Sequence, residues 1–556
     1  MNPRRTLLKQ ALTAAASAPL LACTSSTTNH PGAKTFAHGV ASGDPLQERA
    51  IIWTRVSGFS GKANVSWQVA LDEHFKTVFK HGVTETSASK DFTCKVDVDG
   101  LAPDTHFYYR FTVGEQLSPV GRFKTLSFDA ATQAKLGLVS CSNYSFGYFN
   151  VYRHLAERDD LDAIYHAGDY IYEYESGGYD SPHAAEMGRQ TIPVSEVVRL
   201  ADYRLRHAQY KSDPDLQAVH ARHAFICSWD DHEVANDSYL HGAENHNDNE
   251  GTWEARKAAA LQAYFEWMPV REPTTNSDRN FRSFQFGNLF TLIVLETRLS
   301  GRDKALSYSE DLPYVSIEGS EQTRPNVETF KKDILNNPQR HMISADQEQW
   351  FSEELQRSTT AGANWQLIGN QTIMANVLAP DMIKHFSTEE IAELIPRARQ
   401  FAEFSALGLP YNLDAWDGYP AARKRLLSTA LQHAKNTVVL TGDTHNAWAN
   451  DVTDPDSGIN VAAEVAVSSV TSPGVSDVLN IDAARFGRII QSTNKNVRYT
   501  NTADRGYAIL TITPDQFRAD YHFVNTILST RSTSRLEQSI TVNASEQAGT
   551  EKIALA

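Results

Sequence analysis

Short runs of alternating apolar and polar residues dominate the chain from residue 36 to residue 127. Examples are AIIWTRV, NVSWQVALD and HFYYRFTV, which are separated by Gly, Pro and Asp. Alternation with a period of two is typical of strands that bury one face, and regular turn signals favour antiparallel pairing. The pattern therefore predicts a small all-β sandwich domain over residues 36–127.

Longer alternations of apolar strands and amphipathic helices fill residues 132–525. The stretches KLGLVSC, DAIYHAGDY, AFICSWDDHEV, WQLIGNQT and NTVVLTGDTHNAW each predict a buried strand followed by a polar loop. Buried strands with polar residues at their carboxyl ends are the arrangement in which α/β sheets build active sites. We expect an α/β catalytic domain here, followed by a Ser/Thr-rich tail or lid over residues 526–556.

The first 23 residues have the composition of an export signal. Arg4 and Arg5 precede a short apolar segment that ends in Leu-Leu-Ala-Cys23. The segment is too short to span a membrane as a mature helix, so it indicates a Tat-type export signal over residues 1–22. The ending resembles a lipoprotein processing site that would leave Cys23 lipidated, and an ordinary cleaved signal with an incidental cysteine is the alternative. Residues 23–35 are polar and predict a flexible tether. The expected location is the periplasm, the outer membrane or the cell surface, with a lipid on Cys23 as the only membrane contact.

Composition is that of a globular protein, with 41% hydrophobic and 21% charged residues in a chain of 556. The formal net charge of −15 argues against a protein that follows a nucleic-acid backbone, so no sequence-specific nucleic-acid partner is expected. We expect a monomer. Beyond Cys23 the chain has three cysteines, Cys94, Cys141 and Cys227, so at least one thiol has no intramolecular partner.

Metal-ligating residue types are concentrated in the loops that follow the predicted strands. Carboxylate and amide oxygens suit calcium, whereas thiolate, phenolate and imidazole groups suit a transition ion. Side chains two positions apart on an extended segment point the same way, which favours Asp443 and His445 as ligands of the same ion. The candidates are Cys141, Asp169, Tyr172, Asp230, Asp231, His232, Asn236, Asp443 and His445.

The order of these motifs resembles that of the calcineurin-like metallophosphoesterases. More narrowly, Cys141 together with HAGDYIYE, WDDHEVAND and GDTHNAW, preceded by HGVASGDP, resembles the PhoD-like family of secreted alkaline phosphatases and phosphodiesterases. The resemblance extends from His38 to about Val524. It implies an α/β fold with a metallophosphoesterase-type β-sandwich core flanked by helices. A small all-β domain of the immunoglobulin or fibronectin III type would precede that core, and LAPDTHFYYRF is similar to the tyrosine corner of such domains.

The resemblance also implies a mixed centre of Fe(III) and one or two Ca(II) ions, where metal-bound hydroxide hydrolyses phosphate mono- and diesters. The iron ligands it implies are Cys141, Asp169, Tyr172, Asp443 and His445. Asp169 would bridge to calcium, and Asn236 with either Asp230 or Asp231 would complete the calcium side.

Other groups would contact the substrate. His232 is a candidate general acid or phosphate contact, and an orienting role is its alternative. An arginine is expected on the phosphate, with Arg204, Arg206 and Arg298 as candidates. Glu296 stands where the family suggests an Asp, which leaves its role open.

The expected function is phosphate scavenging or turnover of phosphodiesters in the cell envelope. A related nuclease or haloperoxidase is the alternative within enzymes. A non-catalytic envelope binding protein, in which calcium only braces loops, is the alternative from another class. Turnover of a phosphate ester distinguishes the expected hydrolase from the non-catalytic binding protein.

Overall fold

The computed structural model describes residues 35–129, 131–274, 278–394 and 396–556. The predicted export signal and all of the predicted tether except Thr35 lie outside these residues. The strands are β1 (Val40–Gly43), β2 (Ala50–Arg55), β3 (Ala63–Ala70), β4 (Val78–Thr86), β5 (Thr93–Val98), β6 (His106–Val113), β7 (Gln116–Leu117), β8 (Gly121–Lys124), β9 (Ala134–Val139), β10 (Ala163–His166), β11 (Ala224–Cys227), β12 (Arg282–Phe286), β13 (Phe290–Val294), β14 (Tyr314–Ser316), β15 (Thr323–Pro325), β16 (Trp365–Gly369), β17 (Thr437–Thr441), β18 (Ala447–Thr453), β19 (Asn460–Ala466), β20 (Val497–Asn501), β21 (Gly506–Ile512), β22 (Gln516–Val524), β23 (Ser534–Asn543) and β24 (Ala554–Leu555). The helices are α1 (Asn150–Ala156), α2 (Leu200–Lys211), α3 (Pro214–Arg222), α4 (Trp253–Trp267), α5 (Tyr308–Asp311), α6 (Val327–Thr329), α7 (Ala345–Thr360), α8 (Met382–His385), α9 (Thr388–Glu393), α10 (Pro396–Ser405), α11 (Pro420–His433), α12 (Val475–Leu479) and α13 (Ala483–Thr493).

Two large sheets lie face to face at the centre of the fold. The ten-stranded sheet has the order β24-β23-β22-β21-β9-β10-β11-β1-β2-β5, and the seven-stranded sheet has the order β12-β13-β16-β17-β19-β18-β20. Leu138 of β9 and Leu440 of β17 belong to the apolar layer between them. Strands β9, β10 and β11 are parallel, as are β13, β16, β17 and β19. The carboxyl ends of each parallel set therefore lie at one edge of its sheet.

Helices cover the outer faces of both sheets. Val439 lies between Val438 and Leu440 on β17 and packs instead with Phe351 of α7 and Leu426 of α11. On the other sheet, residues of β10 pack against α1 and α3. Strands buried on both faces need nearly continuous apolar sequence, which is what the runs above show. This is the expected sandwich core flanked by helices. None of the described helices is long and apolar enough to cross a membrane.

The N-terminal region is all β, as expected, and shares a sheet with the rest of the chain. Strands β3, β4, β6, β7 and β8 form a separate sheet, whose Val65 and Phe107 pack against Ile52 of β2. Strand β1 pairs in parallel with β11, so β1, β2 and β5 extend the ten-stranded sheet. The domain boundary near residue 127 stays a prediction.

The C-terminal segment differs from its prediction as a tail or lid. Strand β23 pairs along the whole of β22, and β24 adds to its outer edge. Ile540 and Val542 lie in the apolar layer between the two large sheets. The prediction is wrong for residues 534–543, because these alternating apolar side chains bury one face of a strand in spite of the Ser/Thr-rich surroundings.

Candidate metal centre

The predicted ligand loops meet where the parallel strands of the two sheets end. The loop after β9 is tied to the loop after β10 by the amide of Cys141, which donates to the carbonyl of Gly168 at 3.1 Å. The loop after β19 joins them through the amide of Val470, which donates to the carbonyl of Ser140 at 2.9 Å. Residues far apart in sequence are therefore held together by main-chain hydrogen bonds.

One group of candidate ligands surrounds the thiol of Cys141. Its Sγ lies 3.4 Å from Oδ2 of Asp169. Ligand atoms of Cys141, Asp169 and His445 all lie within 4.8 Å of one another. Burial, and then the charge of Asp169, raises the pKa of the thiol well above its usual value. Since metal ligands bind as thiolates, a cation is needed here to stabilise the ionised sulfur.

Tyr172 and His445 complete this group. The Tyr172 hydroxyl lies 3.2 Å from Oδ2 of Asp169 and 3.2 Å from Nε2 of His445. His445 donates from Nδ1 to the carbonyl of Pro473 at 2.7 Å, which leaves the lone pair on Nε2. Burial lowers the pKa of His445 to about 4, so its imidazole is neutral and able to ligate.

Asp169 also belongs to a second group, with Asp231 and His232, whose ligand atoms again lie within 4.8 Å of one another. His232 donates from Nδ1 to Glu173 at 2.7 Å, and although burial lowers its pKa, the charges of Asp231 and Glu173 raise the pKa of His232 well above its usual value. A carboxylate that belongs to two adjacent groups of ligands is suited to bridge two ions.

Asp230 and Asp443 meet at Arg298, which is fully buried. Its Nε donates to Oδ1 of Asp230, and its Nη2 lies 3.4 Å from Oδ1 of Asp443. Its Nη1 donates to Asp414 at 2.7 Å. Burial raises the pKa of Asp230 to about 6 in spite of this arginine. One guanidinium therefore faces the buried carboxylate of Asp230 and the partly buried carboxylates of Asp414 and Asp443, so the site has more carboxyl groups than this arginine can neutralise.

Two carboxylate oxygens in the centre lack any partner among the described residues. They are Oδ1 of Asp169 and Oδ2 of Asp230, and both are buried. Buried polar atoms in folded proteins are nearly always paired, and an unpaired charged oxygen is especially unfavourable. The thiol, phenol, imidazole and carboxylates thus fit the donor set of a transition ion beside a hard cation.

Four of the candidate ligands adopt left-handed backbone conformations. The φ angles are 60° for Cys141, 55° for Asp169, 63° for Asp443 and 56° for His445. Each such residue costs about 1–3 kcal/mol when it is not glycine, and such strain is concentrated at functional sites. The strain supports a functional role for these side chains.

Two glutamates with no assigned sequence role hold the loops in place. Glu233 accepts the backbone amides of Asp169 at 3.2 Å and Asp230 at 2.8 Å. Glu296 accepts the amide of Arg298 at 2.8 Å and the indole of Trp229 at 2.9 Å. The density of acids in WDDHEVAND includes Glu233, but no residue pattern indicates that its target is the backbone.

The side chains of Asn236, Arg204 and Arg206 contact other groups than the candidate ligand side chains. Asn236 donates its side-chain amide to Glu244 at 3.0 Å and its backbone amide to Glu173 at 2.8 Å. Arg204 pairs with Glu266, and Arg206 donates to the carbonyl of Tyr172. Arg298 is therefore the one of the three candidate arginines whose guanidinium contacts the side chains of predicted ligands.

The other two cysteines lie in apolar cores. Cys94 packs in the N-terminal sandwich and Cys227 packs beneath the helices of the ten-stranded sheet. All three described cysteines are free. Of these three described cysteines, Cys141 alone lies among metal-ligating groups.

Comparison with known proteins agrees with this geometry. The PhoD-like phosphatase model matches residues 136–521, and the model of the PhoD-like phosphatase N-terminal domain matches residues 22–127. Alkaline phosphatase D of Bacillus subtilis (strain 168) is 35% identical over 504 residues, which cover 87% of this chain and 77% of that protein. A solved structure of PhoD superposes with a TM-score of 0.77 at 30% identity, covering 95% of this chain and 93% of that one. The chain belongs to the PhoD-like phosphatase family and is a phosphoric ester hydrolase.

Proposed function

We propose that the protein hydrolyses phosphate monoesters and diesters at a centre that holds Fe(III) and one or two Ca(II) ions. The observation that carries this proposal is the convergence of Cys141, Asp169 and His445 within 4.8 Å, with the Tyr172 hydroxyl beside them. Thiolate and phenolate groups suit a trivalent or soft ion.

Iron would be held by Cys141, Asp169, Tyr172, Asp443 and His445. Cys141, Asp169 and His445 form one ligand group. The Tyr172 hydroxyl contacts Asp169 and His445. Arg298 neutralises part of the charge of Asp443.

Calcium would be held on the other side of Asp169. Asp231 belongs to the ligand group of Asp169 and His232, and Asp230 offers an Oδ2 that is buried without a partner, so either aspartate would supply the carboxylate. Each oxygen of Asp231 also accepts one backbone amide, from His232 at 3.0 Å and from Asp237 at 2.6 Å, and keeps a lone pair for a cation. Asn236 would complete this side from its half-buried loop.

The metal ions, when bound, activate water and offset charge on the phosphoryl oxygens. The chain's own groups position the ester. Arg298 has its guanidinium between the two ligand sets, where it would donate to phosphoryl oxygens. His232, held through Nδ1 by Glu173, would present Nε2 as the proton donor to the departing alcohol.

We further propose that the protein works outside the cytoplasm, in scavenging phosphate or in turning over envelope phosphodiesters. The twin arginines and the Leu-Leu-Ala-Cys23 ending of the sequence support export through the Tat route and lipid attachment. That route carries folded proteins, so the Cys141 thiol could bind metal before it meets an oxidising compartment.

A rate measurement tests the catalytic proposal. The purified protein should release nitrophenol from p-nitrophenyl phosphate and from bis(p-nitrophenyl) phosphate, and chelation should stop both reactions. Restoring Fe(III) and Ca(II) together should recover the rates, whereas neither ion alone should do so. Full activity after removal of all metal would overturn the proposal.

Tyr172→Phe tests the iron side directly. A phenolate bound to Fe(III) gives a visible charge-transfer band, so the wild-type protein should be coloured and this variant should lose the band. Tyr174→Phe, at a half-buried tyrosine two residues further along the chain, is the matched control and should keep it. A colourless wild type with bound iron would contradict the assignment of Tyr172.

A further inference from the structure

An apolar groove opens beside the candidate metal centre. Its volume is about 330 Å³, and Asp443 and Thr444 of the ligand loop form one end. Ala398, Phe401, Tyr411, Val478 and Leu479 form most of the rest, and Asn412 adds one polar side chain. Asp443 is the only charged residue among the described residues that line it. The groove is therefore continuous with the site and becomes apolar away from it.

The walls of the groove are anchored in the core. The ring of Tyr411 lies 6.2 Å from that of Phe486 and 6.5 Å from that of Trp448, and both of these residues are buried in the main helical core. Phe401 of α10 packs edge-on against Tyr411 with ring centroids 5.7 Å apart. The apolar surface thus has a fixed shape, as expected of a ligand pocket.

The opposite wall leaves apolar side chains open to solvent. Val478 of α12 is 37% exposed, and Leu479 beside it is half-buried. The helix is attached to the site, because Arg505 pairs with Asp477 and also donates to the carbonyl of Ser472 at 3.2 Å. Ser472 in turn donates to the hydroxyl of Tyr172 at 2.7 Å. This wall is therefore positioned relative to the ligands.

We propose that this groove binds an apolar substituent of the phosphate ester, so that the substrate class is phosphate esters of hydrocarbon-bearing alcohols. The inference rests on the proposed function: if the phosphate of the ester binds at the metal centre, the substituent of that phosphate would extend past Asp443 into the groove. The polar groups of the lining are those of Asp443, Thr444, Asn412 and Tyr411, whereas a hydrocarbon chain removes both its own surface and that of Val478 and Leu479 from water. Each buried methylene should strengthen binding about fourfold.

Straight-chain alkylphosphonates, from methyl to hexyl, test this as inhibitors of p-nitrophenyl phosphate hydrolysis by the metal-loaded protein. They carry one substituent and cannot be hydrolysed at the carbon–phosphorus bond under these conditions. The inhibition constant of the wild type should fall about fourfold per methylene until the groove is filled. In Val478→Asn and Leu479→Asn the dependence on chain length should flatten, while methylphosphonate should inhibit as in the wild type.

Ile383→Asn is the matched control, because Ile383 of α8 is 59% exposed and lies outside the groove lining. It should keep the wild-type dependence on chain length. Hydrolysis with inhibition indifferent to chain length, or an unchanged dependence in both groove variants, would overturn the groove assignment alone. A metal-loaded wild type that hydrolyses neither nitrophenyl ester would overturn the proposed function, and the groove assignment with it.

Discussion

Asp169→Asn should abolish phosphate ester hydrolysis and release metal from both sides of the centre. Asp169 is the one residue that belongs to both ligand groups, and its Oδ1 is buried without a protein partner. Metal assistance supplies several kcal/mol of transition-state stabilisation, so its loss should lower kcat/KM by at least about 10³-fold. Elemental analysis of the purified variant and its rate with p-nitrophenyl phosphate measure the two effects.

The same substitution should not unfold the protein. Burial raises the pKa of Asp169 well above its usual value, so replacing the carboxylate by an amide removes an unfavourable charge from the metal-free fold. The metal-free variant should therefore melt at or above the temperature of the metal-free wild type. Asp451→Asn, another buried aspartate on β18, is the control and should keep metal and rate. Normal metal content in Asp169→Asn would exclude a bridging role.

The sequence predicts the fold well where one periodicity dominates. Apolar runs such as those of β9 and β17 predict strands that are buried on both faces, and both strands are buried in this way. The change from short alternation to strand and helix near residue 132 predicts the boundary between the two regions. Strand β23 was missed because only Ile540 and Val542 mark its buried face, amid Ser and Thr. The sheet shared by β1 and β11 was missed because pairing between distant strands leaves no local pattern.

The convergence of the candidate ligands could be predicted because they follow strands whose ends must meet, and because the resemblance orders their motifs. The residues that position these candidate ligands could not be predicted from the sequence. Glu233 acts on backbone amides, and Asp414 acts on Arg298 from an irregular loop, so neither contributes to a recognisable spacing. Glu296, whose role the sequence left open, holds the loop that presents Arg298.

Substitution of Arg298 should lower both the free energy of unfolding and the catalytic activity, and further variants should separate these two effects. Its guanidinium contacts Asp230, Asp414 and Asp443 and is fully buried. Removing one partner of a buried ion pair leaves an uncompensated charge and costs about 3–5 kcal/mol in the free energy of unfolding. Bound cations would offset part of that loss, so Ca(II) should stabilise Arg298→Met more than it stabilises the wild type.

Arg298→Met should also lower kcat/KM at least about 10²-fold, because a preorganised donor to the phosphoryl oxygens is lost. The double variant Arg298→Met/Asp414→Asn should recover only part of the lost stability, because Asp230 and Asp443 still lack their partner and the buried Arg302 loses its ion pair with Asp414, and it should not recover activity. Arg189→Met breaks the buried pair with Asp213 and should lose stability while keeping kcat/KM. Urea unfolding and kinetics of all three proteins measure these outcomes. Recovery of full activity in the double variant would mean that Arg298 serves only to neutralise Asp414, with no contact to the phosphate.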